Sequence, residues 1–291
     1  MGFREALVSK EIPAVTPLEA GITVHCRVRN EENFVRAALL SVLPLARRVM
    51  VCDTGSTDRT LEQIRSVASD KIEIVSKPPS DAKGIMEYRN EMIENTTTEW
   101  FIQVDGDEIY PAYAVRRIIE EMKNVPPEVR RIQIYRKHFI NHFNFMSPID
   151  RIGRIFRTRD VRWRLFNPSL NEVGHETAYC PSDPSLRLNE HSTTFPKDIF
   201  FFHCHYLSRS SKDDELGSLR RWRLKSQRHA FPALPYFGPW PETLEVPVPQ
   251  VVRGMTPQIA AQGIALNAKL AALKFYYYLN SKLRKAARTR D

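Results

Sequence analysis

Hydrophobic residues fall in short dense blocks through the first third of the chain, and what separates the blocks gives them their meaning. Ile22-Thr23-Val24-His25-Cys26-Arg27-Val28 reads as a strand that empties into a polar turn, Arg29-Asn30-Glu31-Glu32, with a helix from about Asn33. Val49-Met50-Val51-Cys52-Asp53 is a second strand, followed by a turn at Gly55-Ser56 and a helix through Ala68. A third strand is expected over Lys71 to Ser76, a helix over Ala82 to Asn95, and a fourth strand over Trp100 to Val104. Strands alternating with helices predict a parallel sheet covered on both faces. Such sheets bind ligands beyond the carboxyl ends of their strands. The unusual polar residues, Asn30 to Glu32, Asp53 to Asp58 and Asp105 to Asp107, all fall at those ends.

Further along, Ile199 to Tyr206 is again strand-like, and its two histidines, His203 and His205, share one face. The pattern breaks between Phe231 and Pro257, where seven prolines rule out a continuous helix or central strand. That stretch is an extended arm. Its aromatics, Phe231, Tyr236, Phe237 and Trp240, either line an acceptor groove or pin the arm to its own domain or a neighbouring subunit, with the structural role preferred. A helix follows from Gln258 to about Arg288, with Leu266, Leu270, Leu273 and Tyr277 on one face. Tyr276-Tyr277-Tyr278 beside a basic end resembles an interfacial anchor, although packing on the domain or dimerisation is the preferred use.

The chemistry starts at Asp105-Gly106-Asp107. Residues i and i+2 of a strand point the same way, so two carboxylates at a strand end can reach one hard divalent cation. A solvated acidic turn is the alternative. His203 or His205 can close such a site, and an imidazole ligand tilts the metal from Mg²⁺ towards Mn²⁺. Either histidine can equally pack or hydrogen-bond internally.

Four ordered motifs over residues 20 to 110 carry a resemblance: the Asn30-Glu31-Glu32 turn, Asp53-Thr54-Gly55-Ser56-Thr57-Asp58, Arg89-Asn90, and Asp105-Gly106-Asp107-Glu108. In order and spacing they resemble family 2 glycosyltransferases with the GT-A fold. Arg154-Ile155-Phe156-Arg157, Trp163, His175-Glu176 and His203-Cys204-His205-Tyr206 are similar to elements of one branch of that family, and the likeness ends at about Arg209. The resemblance implies a single Rossmann-like α/β domain with a mainly parallel sheet, and a sugar carried on a nucleotide, with UDP the default. It implies a donor site drawn from Arg27, Asn30, Glu32, Asp53, Arg89 and Asp105, with Asp53 accepting from the base. Arg89 pairs with the diphosphate or with Asp53. Glu32 lines the base pocket or serves as helix N-terminal charge, and Asp58 caps the following helix. Asp107 is the direct metal ligand, Asp105 touches metal or ribose, and Mn²⁺ or Mg²⁺ neutralises the leaving diphosphate. Glu176 is the general base of an inverting transfer, with a salt bridge to a nearby arginine as its other reading and Asp150 in reserve. Two departures stand out. Asp53 is followed by Thr54 rather than a second acid, and Ser218-Leu219-Arg220-Arg221-Trp222 lacks the glutamine of processive relatives, so the enzyme is expected to be non-processive.

Composition narrows the picture. At 291 residues, 42% of them hydrophobic, the chain can bury one α/β domain plus an extension. The expected division is a lead-in over 1–20, the catalytic domain over 21–208 and a C-terminal extension over 209–291. Four cysteines, Cys26, Cys52, Cys180 and Cys204, lack pairing or metal-ligand spacing and suit a reducing compartment. No apolar run resembles a signal peptide or is long enough to span a bilayer. A cytoplasmic protein is expected, with peripheral membrane attachment as a variant. The net charge of +9 gathers in three clusters: six arginines from Arg151 to Arg164, then Arg220 to Arg228, then Lys282 to Arg290. They are solvated faces or a footprint for nucleic acid, anionic lipid headgroups of a membrane or phosphorylated substrates. The expected acceptor is a saccharide or lipid-linked saccharide. Transfer to a nucleic acid base or protein side chain is the alternative, as is a nucleotide-sugar-binding or nucleotidyltransferase-like domain without sugar transfer. The last lacks the glycine-rich phosphate loop and lysine common in such enzymes.

Overall fold

A computed structural model describes residues 18–140, 142–147, 149–165, 176–183, 185–212, 233–236, 241–243, 261–272 and 275–276. Most of the lead-in, His175, the second and third basic clusters and most of the proline-rich arm lie outside the described residues.

The first half follows the expected alternation. Strands β1 (Glu19–Val28), β2 (Arg48–Asp53), β3 (Ile72–Ser76) and β4 (Thr98–Asp105) are joined by helices α1 (Val35–Val42), α2 (Thr60–Arg65) and α3 (Ala82–Glu94). α2 stops three residues before Ala68, which itself takes a left-handed φ of 50°. α3 is capped by Asp81, whose carboxylate accepts the Gly84 N–H at 2.9 Å, satisfying an otherwise orphaned donor. β1 lies between β2 and β4, parallel to both, and its register sets Val28 beside Asp53 and Arg27 beside Asp105. The three strands therefore end level, and their polar termini share one edge.

β1 is buried on both faces, as a central parallel strand must be. Val24, Cys26 and Val28 join Val35, Leu39 and Val42 of α1 in the main core. On the opposite face His25 stacks on Phe101 at 4.5 Å, and Phe101 continues through Phe156 to Trp163. β3 ends the sheet and alternates between half-buried and exposed residues.

The second half changes direction. It comprises β5 (Glu108–Ile109), α4 (Ala112–Met122), β6 (Arg131–Ile140), β7 (His142–Met146), β8 (Asp150–Arg157), β9 (Arg162–Leu165), β10 (Glu176–Tyr179), β11 (Ser192–Thr194), β12 (Phe200–Tyr206) and β13 (Leu234–Pro235). β8 runs antiparallel to both β4 and β6, while β12 runs parallel to β6 and antiparallel to β5. The sheet of eleven described strands is thus mixed, whereas the alternating pattern had implied a mainly parallel one. The run of parallel neighbours β4, β1, β2 and β3 is the part linked by helical crossovers, while antiparallel pairs enter with β5, β7, β8 and β13. β9 and β10 form a separate antiparallel ribbon against α3.

The described part of the arm is pinned to its own domain. β13 pairs with β7, and Tyr236 packs on Phe139 and Phe202. Lys137 Nζ sits 3.7 Å from the Phe200 ring centroid and 6.0 Å from that of Tyr236. The helix over 261–272 buries Leu266 and Leu270 against Ile140, Phe145 and Ala233. Asn267 locks it there, accepting the Ala233 N–H and donating to the Ala233 carbonyl. Leu273 and Tyr277 lie outside the described residues. Among the described residues no helix is long and apolar enough to cross a membrane.

Candidate active site

Two turns form the first wall. Asn30 takes a positive φ of 56°, a conformation that asparagine tolerates better than most residues. From there its N–H donates to Ser56 Oγ at 3.0 Å and its Oδ1 accepts the Thr57 N–H at 2.8 Å. Asp53, 2% exposed, accepts the Ser56 N–H at 3.2 Å. Gly55 has φ +84°, and a Cβ there would stand 2.6 Å from Pro79. Asp58 accepts the Thr60 N–H at the start of α2, as expected, and also the Ser210 hydroxyl. Glu32 accepts backbone N–H groups from Arg59 at 3.1 Å and Ser211 at 2.6 Å. Burial works against its charge, but these bonds hold its carboxyl below the ordinary range. Glu32 therefore ties the β1 turn to both the β2 turn and the segment after β12.

The second wall is the end of β4. A Cβ on Gly106 would stand 2.9 Å from Glu31 Cγ and 3.0 Å from a Val28 methyl, so the close approach of the two turns depends on the glycine. Asp105 accepts from Arg154 Nη2 at 3.2 Å, and the same nitrogen is paired with the fully buried Glu108. Burial raises the Asp105 carboxyl, and Arg154, Arg27 and Arg89 more than reverse the effect. Arg89 lies over the Trp163 ring at 5.0 Å. Its neighbour Asn90 clamps the Trp163 backbone, accepting its N–H at 2.8 Å and donating to its carbonyl at 3.0 Å.

Between the walls, Asp107 meets the histidines of β12. The antiparallel register of β5 and β12 sets His203 beside Glu108, and the Cys204 N–H donates to the Asp107 carbonyl at 2.8 Å. His203 Nε2 is 3.3 Å from Asp107 Oδ1, and His205 Nδ1 is 3.9 Å from Oδ2. One donor atom from each of the three residues lies within 4.8 Å of the other two. Asp107 is 1% exposed, its Oδ2 accepts no hydrogen bond among the described residues, and burial alone would raise its pKa. His203, Arg209 and His205 hold it well below the usual carboxylate range instead. A carboxylate kept ionised beside two imidazoles fits a divalent cation of borderline softness.

Sequence reasoning supplied Asp53, Asp105, Asp107, His203 and His205 but missed two arginines that organise them. Arg154 stood in a motif without a role. Arg209, paired with Glu31 and 3.6 Å from Asp107 Oδ2, stood at the point where the resemblance ended. Glu176 opens β10 opposite Leu165, and its side chain lies outside the described residues. Asp150 is gripped by Arg136 through two contacts of 2.8 Å.

The sequence profile described as glycosyl transferase family 2 matches residues 23–176, more than half of the 291 residues. This chain belongs to that family. The glycosyl transferase family 2 match spans both walls up to Asp107 and runs on through β9, and the architecture around them is the GT-A fold. His203, His205 and Arg209 lie beyond the matched span. No curated protein matches the chain at a significant level. Among solved structures the chain is similar to glucosyl-3-phosphoglycerate synthase from Mycobacterium tuberculosis in complex with phosphoglyceric acid. Identity is 21% over 42% of this chain and 44% of that one, with a TM-score of 0.32. For the same synthase with Mn²⁺, uridine-diphosphate and glucosyl-3-phosphoglycerate, identity is 16% over 71% and 78%, with a TM-score of 0.40. For S. aureus TarS it is 14% over 72% and 40%, with a TM-score of 0.45. The chain thus spans under half the length of the synthase in the first of these alignments.

Proposed function

We propose that this protein is a metal-dependent, inverting, non-processive glycosyltransferase of hexosyl type that takes its sugar from a nucleotide, UDP by default. The observation that carries this reading is Asp107 with His203 and His205, set beyond the end of β4, where Gly106 packs against the Val28 and Glu31 end of β1. Buried donors meeting where three strand ends stand level make a place for a metal-bound diphosphate. The bound cation supplies Lewis-acid stabilisation of the charge that grows on the departing diphosphate.

The chain's own residues do the rest. Asp53 and Asn30 hold the β2 turn in shape, and the Asp53 carboxylate is the acceptor offered to the nucleotide base. Asp107 stays ionised at physiological pH, because His203, Arg209 and His205 hold its carboxyl well below the usual range despite burial. Arg154, Arg27 and Arg89 stand near enough to Asp105 to keep it ionised, and Arg27 and Arg89 are the proposed cationic contacts of the anionic donor. Glu176 is the proposed general base, taking the acceptor's proton as its oxygen attacks the anomeric carbon.

The proposed acceptor is a saccharide or lipid-linked saccharide. The arginine run from Arg151 to Arg164 adds little to a nucleic-acid reading: Arg154 is buried in ion pairs, and Arg157 is spent on Trp100 and the Val129 carbonyl. The deciding measurement is release of the nucleoside diphosphate from a panel of nucleotide-sugars with Mn²⁺, with and without saccharide acceptors. Release that needs both Mn²⁺ and a UDP-sugar supports the reading. No release from any donor, with the protein folded and Mn²⁺ bound, overturns it.

A further inference from the structure

The two acids of the Asp-Gly-Asp turn do not occupy equivalent places. The donors within 4.8 Å of one another belong to Asp107, His203 and His205, and Asp105 is not among them. Asp105 Oδ2 is instead 3.2 Å from Arg154 Nη2. Arg154 comes from β8, is 7% exposed, and lies over the Phe201 ring at 5.6 Å. Its Nη2 is shared with Glu108, which is 0% exposed, and the second Glu108 oxygen accepts the Asp105 N–H at 3.2 Å. Asp105 is thus held twice over, by its side chain through Arg154 and by its backbone through Glu108. A buried guanidinium with one nitrogen shared between two acids resists displacement, because its charge would lose both partners.

We propose that Arg154 is a positioning residue that withholds Asp105 from the metal. Braced by Glu108, it leaves Asp107, His203 and His205 as the metal-binding set. Asp105 keeps its other oxygen for the donor, its side chain being 34% exposed while that of Asp107 is 2% exposed. Glu108 is then part of the brace and touches neither metal nor sugar. This inference rests on the metal site of the proposed function but not on the identity of donor or acceptor.

The test is Mn²⁺ affinity of the full chain without nucleotide, read by electron paramagnetic resonance of free Mn²⁺. In the wild-type background Asp105→Asn should leave the Mn²⁺ Kd within about two-fold, while Asp107→Asn should weaken it at least about ten-fold. Replacing the brace by the charge-balanced pair Arg154→Met and Glu108→Gln should let Asp105 reach the ion and tighten Mn²⁺ binding by about five-fold or more, since a further anionic oxygen ligand raises affinity. Adding Asp105→Asn should erase that gain. If the double replacement does not fold, Arg154→Gln provides the same contrast, because a neutral amide loses the charge that holds Asp105 at Nη2. Equal loss of Mn²⁺ affinity in Asp105→Asn and Asp107→Asn would overturn the proposal, as would an Arg154 variant whose affinity does not change and stays insensitive to Asp105→Asn. A wild-type protein that binds no Mn²⁺ would overturn the metal site itself and this inference with it.

Discussion

At the scale of single residues, the site separates groups that look alike in sequence. Asp105 and Asp107 differ by two positions, yet one lies against an arginine and the other against two imidazoles. Asp107→Ala removes the carboxylate from the proposed metal set, so turnover should fall more than about ten-fold, a deficit above roughly 1.4 kcal/mol. Circular dichroism should show the fold retained; smaller losses would exclude Asp107 as a ligand. Glu176→Gln is nearly isosteric but cannot accept a proton, so turnover should drop about 10²–10⁴-fold with donor affinity little changed. Parallel losses in both would mark a donor contact or a structural role. His25 gives a test of stability. Burial, then the charge of Arg48, lowers its pKa from 6.5 to about 3. Between those values the unfolded chain binds more protons than the folded one, so this contribution is complete above about pH 6.5 and is lost as pH falls. His25→Phe keeps a ring against Phe101 and removes the titration. Its urea midpoint should therefore fall less than that of the wild type between pH 7 and pH 5. Identical slopes would show that His25 does not titrate there.

At the scale of elements, the loops matter more than the strands they join. The Asp53 to Asp58 turn is held by Asn30 from β1's end, by Pro79 packed on Gly55, and by Ser210 from beyond β12. Gly55→Ala would add a Cβ where φ is +84° and Pro79 is already in contact. The expected cost is about 1–3 kcal/mol, from strain at a left-handed position and the displaced ring. Chemical denaturation measures that cost, and nucleotide titration should show weaker binding than the stability loss alone explains. A variant as stable as the parent would mean that the turn relaxes freely. The segment after β12 has a similar role, because Arg209 and Ser210 connect the histidine strand to both turns. None of those contacts is local in sequence, so no periodicity announced them.

At the scale of the whole molecule, one sheet joins β13, late in the chain, to the strands that begin at β1. The helix over 261–272 contributes Leu266 and Leu270 to a small cluster with Ile140, Phe145 and Ala233. Leu270 is 0% exposed, so Leu270→Ala should cost about 2–5 kcal/mol at that contact. The main core lies elsewhere, in β1, α1, β4 and β6. Limited proteolysis should then cleave the chain near the helix over 261–272 sooner, while the region from β1 to β6 stays resistant. Equal protection of both parts would show that the helix is not held by this cluster.

The α/β alternation, the order of β1 to β4 and the polar residues at their ends were legible because each depends on local hydrophobic period and turn chemistry. The histidine pair on one face of β12 was legible for the same reason. The mixed half of the sheet was not: whether β8 pairs with β4 or with another strand is decided by long-range packing, which a period of two cannot encode. The same holds for the sharing of Arg154 between Asp105 and Glu108, and for the meeting of Arg209 with Glu31 across the fold. Residue type and spacing brought the candidate ligands to the strand ends. Which carboxylate faces the imidazoles and which faces an arginine was decided only when β5, β8 and β12 closed around them, because burial makes each ionised group take whichever opposite charge the tertiary packing brings within reach.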